Sequence, residues 1–351
     1  MAFSSASGYS NLPNGNFSPV IYSKKVQKSF RKSSVVDDIS NNDYFGEIAN
    51  MGDSVKIIKE PEIAITSYAR GATLASQDLA DADFTMIVDQ ANSFQFQLDD
   101  IEEAHSHVNF MDLATDRAGY KLKDEYDSEV LGYVGGWEKN SSGVWIRRTA
   151  VSGTKADSTA GVDELLAVNK LDITAFGGSD LGVAGEVTAV PVAAGGGAGG
   201  ITSPLAVLNR IARQMDQANI ATDDRWIVID PVFAEILMDE DSKLINGDFG
   251  GEGELRNGRL PGLLRGFKVY KSNNLPFVGT GAGTSASAGS ETNFGVIVAG
   301  HASCLATAEQ ISKTESFRSQ TTFADVVRGM HLYGRKILRP EGLFTANYNM
   351  A

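Results

Sequence analysis

The 351 residues carry 31 lysines and arginines against 44 aspartates and glutamates, a formal net charge of −13, and 42% are hydrophobic. That length and apolar share suffice for two or three core-sized units. The acidic balance argues against a general nucleic-acid binder or an anionic-membrane binder, because both need a basic field.

The single cysteine, Cys304, excludes an intrachain disulfide and a cysteine-built metal site. Its surroundings, GVIVAGHASCLATA, read as core around an inert thiol. No apolar run reaches the ~18 residues of a membrane span, and the first twenty residues lack the basic-then-apolar order of a signal peptide. The expected setting is a reducing cytoplasm.

Residues 1 to 17 are rich in Ser, Asn and Gly. Ser18-Pro19 is a helix start, a capping serine with proline where its missing N–H costs nothing. On the helix expected after it, Tyr22, Val26 and Phe30 share one face. Lys24, Lys25, Lys28, Arg31 and Lys32 fall on the other. Such a basic amphipathic arm suits docking on a partner subunit, a membrane or a nucleic acid.

From Gly52 the period changes. Val55, Ile57 and then Ile63, Ile65 alternate with polar residues as strands do, and alternation returns in Phe84, Met86, Val88 and in Phe94, Phe96, Leu98. Little apolar surface backs these strands, and a hairpin of that kind is marginal alone. Its support is expected from another subunit.

The stretch from Val108 to Gly136 reads as one long helix. Asn109 is a capping residue, and Val108 with Leu113 fits a hydrophobic staple. Met111, Ala114, Ala118, Leu122 and Tyr126 recur at steps of three and four on one face. Gly135 and Gly136 end it. With alanine at two of five positions the stripe is thin, as in a spine that braces a flattened subunit.

Residues 137 to 200 read as an insertion, a hairpin around Val144 to Ile146 followed by Gly, Ala and Ser. The run Gly195 to Gly200 satisfies G-x-G-x-x-G, but the next helix starts only at Ser203-Pro204. A linker explains it better than a dinucleotide site. That helix places Leu205, Leu208, Ile211, Ala212 and Met215 inward. A buried strand, Trp226 to Ile229, leads to a second cap, Asp230-Pro231, and a helix with Phe233, Ile236 and Leu237 on one side. Gly266 to Pro276 reads as a strand ending in a turn, and Gly279 to Ser290 as an exposed loop. The end alternates strand and helix: FGVIVAG as strand, CLATAEQ as helix, then strand spacing in Met330, Leu332 and Ile337.

Catalytic and metal motifs are sparse. His105 and His107 stand two apart without a marked third ligand. The chain has no G-x-S-x-G elbow, no H-E-x-x-H and no P-loop. Local chemistry alone reaches a self-associating mixed α/β protein, with no catalytic, cofactor or metal residues assigned.

The order of segments resembles the major capsid proteins of tailed bacteriophages, of the Hong Kong 97 fold. SPVIYSKKVQKSFRKSSVVDDISNNDYFGEI is similar to the family's N-terminal arm. GDSVKIIKEPEIAITSYARG through FTMIVDQANSFQFQLDDIEEAHSHV resembles its extended loop and return strand, and the helix from Asn109 its spine helix. RWIVIDPVFAEILMDEDSKLINGDFGGEGELRNGRLPGLLRGFKVYKSNNLP resembles the axial domain, and DVVRGMHLYGRKILRPEGL the closing strands of the peripheral domain.

The resemblance implies an α+β fold divided into an arm (1–48), an extended loop hairpin and return strand (49–98), a peripheral domain with the spine helix (99–136), an insertion (137–200), an axial domain (201–320) and closing peripheral strands (321–351). It implies a structural protein without cofactors. The protein would assemble in a bacterial cytoplasm into the hexamers and pentamers of an icosahedral virion shell. Its partners would be copies of itself, a scaffolding protein, a portal and packaged double-stranded DNA, with no membrane. The assembly contacts are placed on the arm: Tyr22, Val26, Phe30, Lys24, Lys25, Lys28, Arg31 and Lys32. A function of another class stays open on the residues alone, a cytoplasmic α/β enzyme with its site between the axial-type domain and the 137–200 insertion.

Overall fold

A computed structural model describes residues 34–41, 54–59, 63–71, 73, 76, 82–100, 110–139, 143, 145–148, 164–171, 189–195, 201–239, 262–278 and 294–350. The arm residues Tyr22 to Lys32, the Asn109 cap with Val108, His105 and His107, residues 196–200 and the loop 279–290 lie outside the described residues.

The first described element is a single helical turn, α1 (Val36–Ile39). Strands β1 (Ser54–Lys59) and β2 (Ala82–Ile87) pair antiparallel, with Val55 opposite Met86 and Ile57 opposite Phe84 in register. Ile63 and Ile65 do not continue the strand. Residues 63–69 have no ladder partner, and Ile65 is 97% exposed. Their alternation is real, but among the described residues no strand pairs with them.

Strand β3 (Gln90–Asp99) then leads to the long helix α2 (Phe110–Gly135), about 39 Å at ~1.5 Å per residue. It stops where expected. Gly136 takes φ +81°, a left-handed conformation that glycine adopts without steric cost, and its N–H bonds the Tyr133 carbonyl at 3.2 Å. Burial changes along α2. From Asp127 onward most of the helix is buried, including Val130, Leu131, Tyr133 and Val134. The stripe Met111, Ala114, Ala118, Leu122 and Tyr126 is only half-buried. Alanines leave too narrow a ridge to fill the space toward the sheet below.

That sheet has the order β13-β14-β3, where β13 (Leu305–Arg318) and β14 (Ala324–Ile337) form a long antiparallel hairpin. The segment CLATAEQ, expected as helix, is the start of β13. The pairing of β13 with β14 and the burial of Leu305, Ala306 and Ala308 override the helical preference of its alanines and glutamate. Helix α2 lies on one face. On the other, Ile57, Met86 and Val88 at the base of the β1–β2 hairpin pack on Ala306 and Ala308. The two layers approach closest at Gly334, where a Cβ would sit 2.7 Å from the Ile87 carbonyl oxygen.

The second sheet follows from α2 onward. Strands β4 (Trp137–Lys139) and β5 (Trp145–Arg147) make the expected small hairpin. After β6 (Lys170–Leu171) and β7 (Val190–Val192) come α3 (Pro204–Gln217), β8 (Arg225–Ile229), α4 (Pro231–Met238), β9 (Leu263–Leu264), β10 (Phe267–Lys271), β11 (Phe277–Val278), β12 (Phe294–His301) and β15 (Leu343–Met350). The order β6-β15-β12-β8-β10-β9 mixes parallel and antiparallel pairs, with β7 also on β15 and β11 on β12. Both helix starts are as read: Ser203 accepts from the Ala206 N–H at 3.4 Å and Asp230 from the Phe233 N–H at 3.1 Å.

Strand β8 is apolar from Trp226 to Ile229 because both of its faces are covered. Ile227 and Ile229 face the core built with α3 and α4, while Trp226 and Val228 join the cluster of α1 and the C-terminal half of α2. Strand β12 divides likewise, Ile297 and Ala299 to one side, Val296 and Val298 to the other. The structure differs from the sequence reading at 137–200. Lys170–Leu171 and Val190–Val192 pair in parallel with β15, and Leu165, Leu171, Ala189, Val190 and Val192 are core residues. Short apolar runs between glycines hid strands that depend on a partner from the far end of the chain.

The close approach at Gly334 generates the first prediction. Gly334→Val has a carbonyl oxygen and not a movable side chain to displace, so stability should fall by ~1–3 kcal/mol. Chemical denaturation of the soluble subunit measures it, and an unchanged midpoint would contradict the packing.

Candidate assembly site

Residues Ser34 to Val36 are fixed by one buried carboxylate. Asp127, on the buried half of α2, has no solvent exposure. Its Oδ1 accepts from Ser34 Oγ at 3.0 Å, the Val35 N–H at 2.8 Å and the Val36 N–H at 3.0 Å. The open N-terminus of α1 is thereby satisfied by a residue about ninety positions away, and the anion sits where free N–H groups converge. Its Oδ2 accepts from Asn274 Nδ2 at 2.8 Å, in the turn after β10. Beyond α1, Asn41 joins the edge of β13: its N–H donates to the Leu305 carbonyl at 2.8 Å, and the Thr307 N–H donates to its carbonyl at 3.2 Å.

Beside this anchor a cleft of about 770 Å³ opens between α2 and the three-stranded sheet. Helix α2 contributes Thr115, Gly119, Leu122, Lys123 and Tyr126, and the sheet contributes Phe94, Thr307, Glu309, Thr314 and His331. Asp37 stands at its mouth, 2.6 Å from Lys123 Nζ. That hydrogen bond raises the Lys123 pKa. Burial pushes the Tyr126 hydroxyl up to about 12, and its ring meets Tyr333 edge-on at 4.8 Å. His331 is buried, its Nε2 paired with Glu309, while its Nδ1 has no hydrogen-bond partner among the described residues.

At the end of α2 a polar cluster binds helix to β14. Tyr133 donates to Glu164 Oε2 at 2.6 Å and accepts from the Ile337 N–H at 3.2 Å, and Lys336 Nζ reaches Glu164 Oε1 at 2.6 Å. The Arg148 and Arg335 guanidiniums flank the Tyr133 ring at 4.5 and 5.0 Å. Burial lowers both arginine pKa values and raises that of Tyr133.

The hairpin presents a different surface. Ile58, Ile63, Tyr68 and Ile87 are 76, 67, 62 and 54% exposed, in addition to Ile65. Isolated exposed apolar residues are ordinary, but five within β1, β2 and the segment between them make a candidate interaction surface. No group of three potential metal ligands converges among the described residues. Where an enzyme site was weighed, beside residues 137–200, the described segments supply strands and core.

None of the eight arm residues named from sequence falls within the described part, so the structure brings to the site what sequence reading missed: Asp127, Asn274 and the cleft lining. Asp127 carried one signal, a charge one step from Tyr126 on the face that continues into Val130, Leu131 and Val134.

The paired sheets, the α2 spine and the projecting hairpin together define an α+β fold of the tailed-phage capsid type, Hong Kong 97-like. The solved capsid of cyanophage Pam1 shares it at TM-score 0.66, with 13% identity over 100% of both chains. So do a capsid structure of Ralstonia phage GP4 (0.65, 12% identity, 99% of each chain) and a structure from Mycobacterium phage Che8 (0.65, 22% identity, 95% of this chain and 97% of that one). No curated protein matches the chain. Residues 94–346 match the family model described as phage capsid protein, and the chain belongs to that family.

Asp127→Ala removes the acceptor of two backbone N–H groups in a dry site and one of the acceptors of the Asn274 amide, which Asp124 Oδ1 also binds at 3.1 Å. The loss should be at least ~2 kcal/mol, since buried donors left unpaired carry their full desolvation penalty. Hydrogen exchange should show α1 and the turn at Asn274 opening together. Exchange unchanged at either place would contradict the shared anchor.

Proposed function

We propose that this capsid protein builds an icosahedral shell of hexamers and pentamers around packaged double-stranded DNA, acting through contacts and not through catalysis. The observation that carries this is the β1–β2 projection. Its base is buried against Ala306 and Ala308, while Ile58, Ile87 and, in the segment between the two strands, Ile63, Ile65 and Tyr68 are exposed. A surface of that kind is stable when a neighbouring copy covers it, and repeated heterologous contacts of this sort close into shells. The net charge of −13 suits a lining past which DNA must slide.

In this reading the segments divide as the resemblance implies, with arm, extended loop, peripheral and axial parts. A scaffolding protein guides assembly, and a portal occupies one vertex of the shell. The arm residues Tyr22, Val26 and Phe30 supply apolar contact, and Lys24, Lys25, Lys28, Arg31 and Lys32 supply charge matched to acidic protein surface. Particles form in the host bacterial cytoplasm.

Changing Ile63 and Ile65 together to serine tests the projection without touching a core. The variant subunit should keep wild-type thermal stability while particle yield in negative-stain micrographs falls at least ~10-fold, the loss of two buried isoleucines per contact being worth ~3–6 kcal/mol. Normal yields would mean the projection is not an interface.

A further inference from the structure

We infer that the cleft between α2 and the three-stranded sheet is the docking site of this chain's own arm, Ser18 to Lys32. The inference rests on reading the arm as a docking element and does not depend on shell formation. Three observations support it.

The first is where the arm emerges. Ser34 and Val35 are held on Asp127, the residue next to Tyr126 in the cleft wall. Phe30, four residues before Ser34, is therefore tethered within about 14 Å of that anchor. The arm reaches the cleft of its own subunit before any other.

The second is spacing. Thr115, Gly119, Leu122 and Tyr126 line the cleft at helical steps, over about 16 Å of α2. Tyr22, Val26 and Phe30 recur every four residues on a segment that, as a helix from Pro19 to Lys32, is about 21 Å long. An antiparallel helix would set Phe30 near Tyr126 and Tyr22 near Thr115. Gly119 permits close approach at the middle: a Cβ there would meet nothing within 4 Å. The cleft volume of about 770 Å³ is far more than the ~30 Å³ share of one water and has room for several large side chains.

The third is charge. Ser18 to Ser33 holds five cations and no acid. The first two turns of α2 carry Asp112 and Asp116 against Arg117. Asp37 and Glu309 stand at the cleft itself. The thin stripe of α2 is then half of a helix pair, and docking supplies the apolar cover that the sheet leaves incomplete.

Two measurements on full-length, unassembled subunits test this. Val26→Cys with Gly119→Cys should oxidise to an intrachain disulfide that migrates as a monomer on a non-reducing gel, with buried Cys304 as a silent background. In the wild-type cysteine setting, Phe30→Ala should speed amide exchange of residues 111–126 by about tenfold. Gly119→Leu should do the same, although the change from glycine to leucine favours an isolated helix. Interchain dimers would assign the cleft to a second copy's arm and overturn the proposal. No crosslink, or slower exchange in Gly119→Leu, would show that the cleft does not hold the arm. Shells seen by microscopy in any of these cases would leave the proposed function standing.

Discussion

The Asp127 carboxylate is the tie on which the described structure depends. One oxygen closes the N-terminus of α1 and the other holds the turn at Asn274. Three parts of the chain, Ser34 to Val36, the spine helix and the end of β10, are thereby fixed to a single side chain with no exposure to water. A buried anion is tolerable only when its lone pairs are taken up by donors. Here the donors come from segments far apart in sequence, so the cost of burying the charge is offset only when all three are in place. That makes the joint cooperative.

Around it the apolar packing is shared in the same way. Val35, Val36 and Ile39 of α1, Val130, Leu131 and Val134 of α2, Trp226 and Val228 of β8, and Leu305, Tyr333 and Ile337 of the long hairpin form one cluster. The C-terminal half of α2 is thus wedged between both sheets. Its N-terminal half lies over the β13-β14-β3 sheet alone, with a cleft beneath it. The rigid end of the helix and its under-packed end have separate roles. One joins the sheets, and the other is a surface still to be covered.

The elements whose signals are local were legible in the sequence. The caps Ser203-Pro204 and Asp230-Pro231, the left-handed stop at Gly136, the alternation of Phe94, Phe96 and Leu98 and the buried run Trp226 to Ile229 all state their geometry within a few residues. What failed depends on distant partners. The start of β13 is helical by composition and becomes strand because β14 returns beside it. Leu171 and Val190 to Val192 look like linker until β15, from the chain's end, offers its edges. Ile63 and Ile65 alternate like a strand, yet no strand among the described residues pairs with them. Asp127 could be seen as a charge near an apolar face, but its donors at Ser34, Val35 and Asn274 could not. The family was readable because segment order survives where single motifs are weak.

The exposed apolar side chains of β1, β2 and residues 63–68 between them are the physical case for a protein completed by its neighbours, while the half-covered helix is the surface assigned to its own arm. Sedimentation velocity of the purified wild-type chain across a concentration series tests that case most directly. The account predicts subunits or capsomers giving way cooperatively to closed particles of megadalton mass. A single small closed oligomer that persists unchanged over the whole series would contradict it.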